Sequence, residues 1–277
     1  MLELLVEELP EGVVTFGMAC RRVTQGDTHA TVELEDGRAL EADLVVGADG
    51  YRSVVRTALC DLSPIRRLGT TAWQNLGSGP TPFADGHRSV YFVEGRLRAG
   101  FMPAGDGLLQ SWFDVPDTAG VDQDNVGEEL RRLFRGWPSP APEVLESAGS
   151  SAFEPWEYLH RSVPKALGAR RLVLIGDAAH PMPPYLAQGA NQALEDAWVL
   201  TREVVRGRSP AEAIKAYCRL RRRRVAFVSR FAVSPLAAGS LSWLDHIGPR
   251  SGPPTALTTA IYGGFFRASR NVLSASG

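Results

Sequence analysis

The thirty residues from Arg171 to Leu200, RLVLIGDAAHPMPPYLAQGANQALEDAWVL, decide the fold. Leu172 to Ile175 are consecutive apolar residues ending at Gly176, the pattern of a strand buried on both faces, as in a parallel sheet. Asp177 therefore falls at the carboxyl end of that strand. Open α/β sheets bind ligands at this edge, and a carboxylate there can accept hydrogen bonds from hydroxyl groups. Downstream, Ala190, Ala193, Leu194, Ala197, Leu200 and Val204 recur at helical spacing and form one apolar face. The start of that helix, near Gly189, directs free N–H groups and the positive dipole end, equivalent to roughly half an elementary charge, at whatever occupies the preceding loop. Pro181, Pro183 and Pro184 stiffen this loop by fixing φ and removing donors.

A second stretch agrees with the first. In ADLVVGADGYRSVVR, from Ala42 to Arg56, a short apolar strand again ends in an acidic turn, Asp49-Gly50, followed by Ser53 and Arg56. Two strand-to-Asp turns point to one shared ligand.

These two stretches resemble the class A FAD-dependent monooxygenases, aromatic hydroxylases with a para-hydroxybenzoate-hydroxylase-like fold. Asp49, Gly50, Ser53 and Arg56 match the family pattern D-G-x-x-S-x-x-R. Gly176, Asp177, Ala178, Ala179, His180, Pro184, Gln188, Gly189, Asn191 and Asp196 match G-D-A-A-H-x-x-x-P-x-x-G-Q-G-x-N-x-x-x-x-D, with Ala187 where the pattern has its first G of G-Q-G. The resemblance implies an α/β fold: part of a parallel-sheet FAD domain over 1–68 and 161–205, an antiparallel substrate domain over 69–160, and helices over 206–277. It also implies a set of cofactor contacts. Asp49 and Arg56 would lie by the diphosphate and the approach of the reduced nicotinamide, Asp177 would hold the ribose, Pro184 and the backbone of Gln188, Gly189, Ala190 and Asn191 would border the flavin ring, and Gly50 and Gly176 belong to the same cofactor-binding motifs. The implied cofactors are FAD and NAD(P)H, and the implied substrates O2 and an aromatic or polyketide-like molecule. No metal and no catalytic acid or base is implied.

One family feature is not found: a strand, a G-x-G-x-x-G turn and a helix for the diphosphate. The nearest string, Gly77-Ser78-Gly79-Pro80, lacks the third glycine and reads as a loop. Leu2, Leu5, Val6 and Leu9, stopped by Pro10, read as the end of a helix. The expectation is therefore a chain whose family frame begins before Met1. Without a first strand, residues 44–48 and 172–175 would expose unpaired backbone unless another chain supplies the partner. A non-catalytic remnant, or a subunit needing such a partner, is the competing reading. A halogenase on the same fold is disfavoured, because the only lysines, Lys165 and Lys215, lie in a loop and on the last helix.

Composition excludes other classes. With 30 basic against 31 acidic groups in 277 residues, nothing calls for a polyanionic partner such as nucleic acid. Cys20, Cys60 and Cys218 are odd in number and scattered, which suggests neither a disulfide framework nor a zinc site. No apolar run reaches the roughly 18 residues needed to span a bilayer, so a cytoplasmic location is expected.

Elsewhere the pattern is mixed. Thr31 to Glu35 alternates and turns at Asp36-Gly37 into Ala39 to Ala42, a hairpin. SVYFVEG, LRAGFMP and LLQSWFDV read as strands of an antiparallel sheet. Val126, Leu130, Leu133, Phe134 and Trp137 mark an amphipathic helix, and Ser209-Pro210-Ala211-Glu212 a capping box opening another. Trp73, Tyr91, Phe92, Phe101, Trp112 and Phe113 are read as core before pocket lining, and Met18 and Met102 as core. His180 is read as satisfying its own loop, Asp196 as touching another loop, and Arg219 with Arg221 to Arg224 as solvated or bridged to acids.

Overall fold

The computed structural model describes residues 2–59, 63–86, 89–149 and 152–234. Cys60 and the part of the C-terminal region beyond residue 234 lie outside the described residues. In chain order, α1 (Leu2–Glu7) precedes the hairpin strands β1 (Cys20–Gln25), β2 (Ala30–Leu34) and β3 (Ala39–Ala42), then β4 (Val45–Gly47) and α2 (Val54–Ala58). The second layer comprises β5 (Arg66–Ser78), α3 (Thr81–Ala84), β6 (Val90–Glu94), β7 (Leu97–Gly105), β8 (Leu108–Pro116), α4 (Val126–Leu133), α5 (Ala141–Ser147) and β9 (Glu154–His160). The chain then returns through β10 (Gly168–Ala169), β11 (Leu172–Leu174), α6 (Gly176–Ala179), α7 (Gly189–Val205) and α8 (Pro210–Ala232).

Three sheets result. β1-β2-β3 is the predicted antiparallel hairpin extended by one strand; β10-β11-β4 has a parallel β11–β4 pair; and β6-β7-β8-β5-β9 is antiparallel throughout. The expectation that 172–175 would expose unpaired backbone is corrected: β11 is central, bonded to β10 on one side and β4 on the other. Of the two stretches, β4 is the one at an edge of its sheet, with no partner on its outer side among the described residues, and its Val46 is exposed. The reading of Gly77-Ser78 as loop is corrected as well, because pairing with Leu108 and Leu109 carries β5 through Ser78.

Leu172, Val173 and Leu174 have no exposed surface and pack with Val199, Ile214, Tyr217 and Val225 from α7 and α8. Each fully buried aliphatic side chain contributes roughly 1.5–3 kcal/mol, so this strand is a main anchor of the first layer. A second core joins one face of the five-stranded sheet to α4 and α5 through Trp73, Phe101, Phe113, Phe134 and Trp137. Phe113 meets Phe101 and Phe134 edge to face at 5.7 and 5.0 Å. The other face is covered in part, where Ala72, Arg98, Asp114 and Tyr158 are buried, and exposed in part. Period-two alternation puts Tyr91, Met102, Trp112 and Trp156 on it, so Met102 is exposed rather than core. Trp112 lies against Gly100, where an added Cβ would fall 2.0 Å from the indole ring. α8 opens with the expected capping box of Ser209 and Glu212. No described helix is long and apolar enough to cross a membrane.

Candidate functional site

At the end of β11 the chain turns at Gly176, whose φ of +55° is a left-handed conformation that suits glycine. Asp177 follows and opens on solvent, with no hydrogen-bond donor on its carboxylate among the described residues. The carboxyl still sits low enough among protein atoms for desolvation to raise its pKa, with His180 pulling the other way.

Beneath this turn lies a buried charge network. Asp196 on α7 accepts from the Gly176 N–H at 3.0 Å, His180 Nε2 at 2.6 Å and Arg221 Nε at 2.7 Å. An ionised carboxylate only accepts, so the His180 proton facing it is on Nε2. Burial alone would raise the Asp196 pKa; the His180 hydrogen bond and the Arg221 charge outweigh it and hold the pKa below the usual range. Arg221 has no exposed surface and also binds Glu195 and the Gln192 carbonyl and side chain, while Arg224 grips both Glu195 oxygens at 2.7 and 2.8 Å. Asp196 does hold another loop. His180 is structural too, though its partner is a carboxylate rather than its own backbone. Of the two alternatives for the arginine run, solvated or bridged to acids, Arg221 and Arg224 take the second, and Arg221 continues the buried stripe Ile214, Tyr217, Val225 and Val228 of α8.

The D-G-x-x-S-x-x-R segment meets the same turn. Asp49 Oδ2 accepts from the Val54 and Val55 N–H groups at 2.7 and 3.3 Å, closing the start of α2, and Gly50 supplies a positive φ of 74° before it. Arg56, expected by the diphosphate, folds inward. This guanidinium is fully buried and donates to the carbonyls of Ala178, Ala179 and Ser162 and to Ser63 Oγ, so it clamps the turn that carries Asp177.

On the other side of the turn, Pro184, Ala187, Ala190 and Asn191 are exposed and Gln188 is buried. α7 starts at Gly189 without a side-chain cap, and the space where a Gly189 Cβ would project is open. Its first N–H groups are thus available to a ligand. Ala187 itself is left-handed, φ +49° and ψ 33°, the one geometry in which an alanine at this place is strained, by about 1 kcal/mol.

A second set of groups had no motif to reveal it. Arg98 and Asp114 face each other across the β7–β8 ladder, Nη1 to Oδ2 3.9 Å, both buried. Tyr158 donates to Asp114 Oδ1 at 2.7 Å, and the Arg98 guanidinium lies 4.9 Å above the ring of Tyr185 in the proline loop. Desolvation lifts Asp114 to about 6 against the Tyr158 hydrogen bond and the Arg98 charge. Arg98 Nε has no hydrogen-bond partner among the described residues. The only signal in the sequence was a charge at an inward register position in each of two apolar strands. Trp73, Phe101 and Phe113 proved to be core, whereas Tyr91 and Trp112 lie beside this cluster on the same face.

Asp177 and the uncapped α7 start fit the ring and sugar portion of a flavin nucleotide, an acceptor for hydroxyls and donors for carbonyl oxygens. The described residues contain no glycine-rich cradle for the diphosphate.

Comparison with known proteins identifies the family. A family model described as FAD binding domain matches residues 2–232. Aurachin C monooxygenase/isomerase of Stigmatella aurantiaca is 37% identical over 195 residues, covering 68% of this chain and 49% of the relative. The 3-amino-4-hydroxybenzoate 2-monooxygenase of Streptomyces cremeus is 34% identical over 231 residues, covering 82% and 58%. Klebsiella pneumoniae HpxO, solved with FAD and uric acid, superposes with a TM-score of 0.82 at 28% identity, covering 88% of this chain and 64% of that one. The chain spans about half the length of the curated relatives it matches.

Proposed function

Because this chain belongs to the FAD-binding domain family of flavin monooxygenases, we propose that it forms the flavin-ring and substrate side of an FAD-dependent, NAD(P)H-consuming hydroxylase of aromatic or polyketide-like molecules. The observation that carries this reading is Asp177 at the end of β11, set beside the uncapped start of α7. Bound FAD, reduced by the nicotinamide donor, supplies the oxygen chemistry.

The protein's part is orientation and electrostatics. Asp177 accepts hydrogen bonds from sugar hydroxyls, and the N–H groups at Gly189, Ala190 and Asn191 stabilise negative charge on the ring. Pro184 and Gln188 border it. Asp49 and Gly50 shape the neighbouring turn. Tyr91 and Trp112 offer aromatic faces to a substrate ring, in keeping with relatives named for 3-amino-4-hydroxybenzoate and uric acid. Hydrogen bonds to charged groups are worth about 1.5–3 kcal/mol, so Asp177→Ala is expected to weaken FAD binding about 10- to 100-fold in a fluorescence titration. Unchanged affinity would remove Asp177 from the site.

A second reading is favoured by the open outer side of β4 and by exposed Leu194 and Trp198 on α7. In it, a further segment, in cis or on a partner chain, pairs with β4 and supplies the diphosphate cradle. Co-expression with a segment bearing G-x-G-x-x-G should then raise flavin retention on a desalting column. If retention is the same with and without it, this reading is lost.

A further inference from the structure

α8 carries a feature that the flavin reading does not use. A cavity of about 410 Å³ lies between its first half and the segment from Lys165 to Arg170. Five cations line it, Lys165, Arg170, Lys215, Arg219 and Arg222, and no carboxylate does. Arg170 pairs with Asp27 at 2.7 Å; the other four have no ion-pair partner among the described residues. Lys215, Arg219 and Arg222 stand at i, i+4 and i+7, so like charges are stacked on one helical face, an arrangement that weakens a helix unless an anion joins it. The contrast with the rest of α8 is informative: Arg221 and Arg224, one face away, are matched to Glu195 and Asp196. The chain as a whole is nearly neutral, so this excess is local.

The floor of the cavity is apolar, formed by Ile214, Cys218, Ala169 and Ala211. Its volume falls within the range that holds small ligands. Guanidinium groups bind phosphate bidentately and ammonium groups as point charges, and a doubly charged phosphate offsets more of the rim than a carboxylate can. The cavity lies by Ala169 and Arg170, at the opposite end of β11 from Asp177, because β10 pairs back on Leu172 and Val173. We infer that this basic-rimmed cavity is a separate binding site for a phosphate-bearing small molecule of nucleotide size, distinct from the flavin site and independent of it.

The test uses the full chain, with uridine diphosphate and inorganic phosphate as probes in calorimetry and thermal melts, and phosphatidylserine vesicles in a sedimentation assay. Uridine diphosphate is expected to bind and to raise the melting temperature, with phosphate competing more weakly and raised salt weakening both. Arg219→Glu with Arg222→Glu should cut its affinity at least tenfold. Lys165→Glu, on a separate segment, should also reduce it, while Asp177→Ala should leave it unchanged. Both altered α8 positions are exposed, so the melt of the double variant without ligand verifies its fold. Failure of both probes to bind, equal binding by the double variant, loss of binding in Asp177→Ala, or retention only by vesicles would each overturn the inference.

Discussion

Arg221 and Arg98 are both buried beside a carboxylate, one under the turn that carries Asp177 and the other on the five-stranded sheet, yet their surroundings differ in completeness. Arg221 has acceptors on Asp196, Glu195 and Gln192, and its acid partner Asp196 is held ionised. Arg98 reaches Asp114 only at 3.9 Å, leaves Nε unpartnered among the described residues, and its acid partner is pushed up to about 6. A saturated network fixes geometry; an unsaturated one retains binding capacity and a responsive charge. The first belongs to the scaffold that presents Asp177. The second lies on the wall where a substrate ring would rest.

The sharpest way to break this contrast is Arg221→Met. Removing one partner from a buried pair leaves Asp196 and Glu195 uncompensated, so a loss of about 3–5 kcal/mol is expected in urea titration. A loss below 1 kcal/mol would mean the network is not the scaffold described.

Asp114→Asn probes the other side, through pH. Below pH 3.8 Asp114 is protonated in both folded and unfolded chains. As pH rises towards about 6 the unfolded chain releases its proton first, so stability falls across that window and is level above it. The whole effect is about 3 kcal/mol, from the pKa difference. Asparagine keeps an acceptor for Tyr158 but cannot titrate. The stability of the variant relative to the parent should therefore improve between pH 4 and pH 7, read from urea midpoints; a constant offset would show that Asp114 does not titrate there.

The smallest effect concerns the loop between the two regions. Ala187→Gly relieves a left-handed alanine at the cost of a floppier unfolded chain, and a net gain of at most about 0.5 kcal/mol is expected in thermal melts. A loss would place the strain elsewhere.

These regions also differed in how far the sequence disclosed them. The strand at Leu172, the turn at Gly176, the hairpin at Asp36-Gly37 and the cap at Ser209 rest on interactions a few residues apart, and local pattern revealed them. Asp196 was read as holding a loop, and it does. For Arg56 the motif gives spacing but not which way a long side chain folds, and it turns inward to carbonyls 122 and 123 residues away in sequence. Arg98 and Asp114 meet only through the register of β7 on β8, which no local rule fixes. The arginine run of α8 left two alternatives, solvent or acidic partners, and the place of Arg221 on the apolar stripe of that helix selects the second.

The contact of Trp112 with Gly100 has an evolutionary consequence. The Trp112 indole occupies its place because the residue beneath it bears only hydrogen; any other amino acid there must push the indole aside. One codon thus sets the relief of this part of the sheet while every charge on it stays in place. A lineage, or a laboratory library, that varies position 100 alone would explore new substrate shapes without rebuilding the buried polar cluster next door.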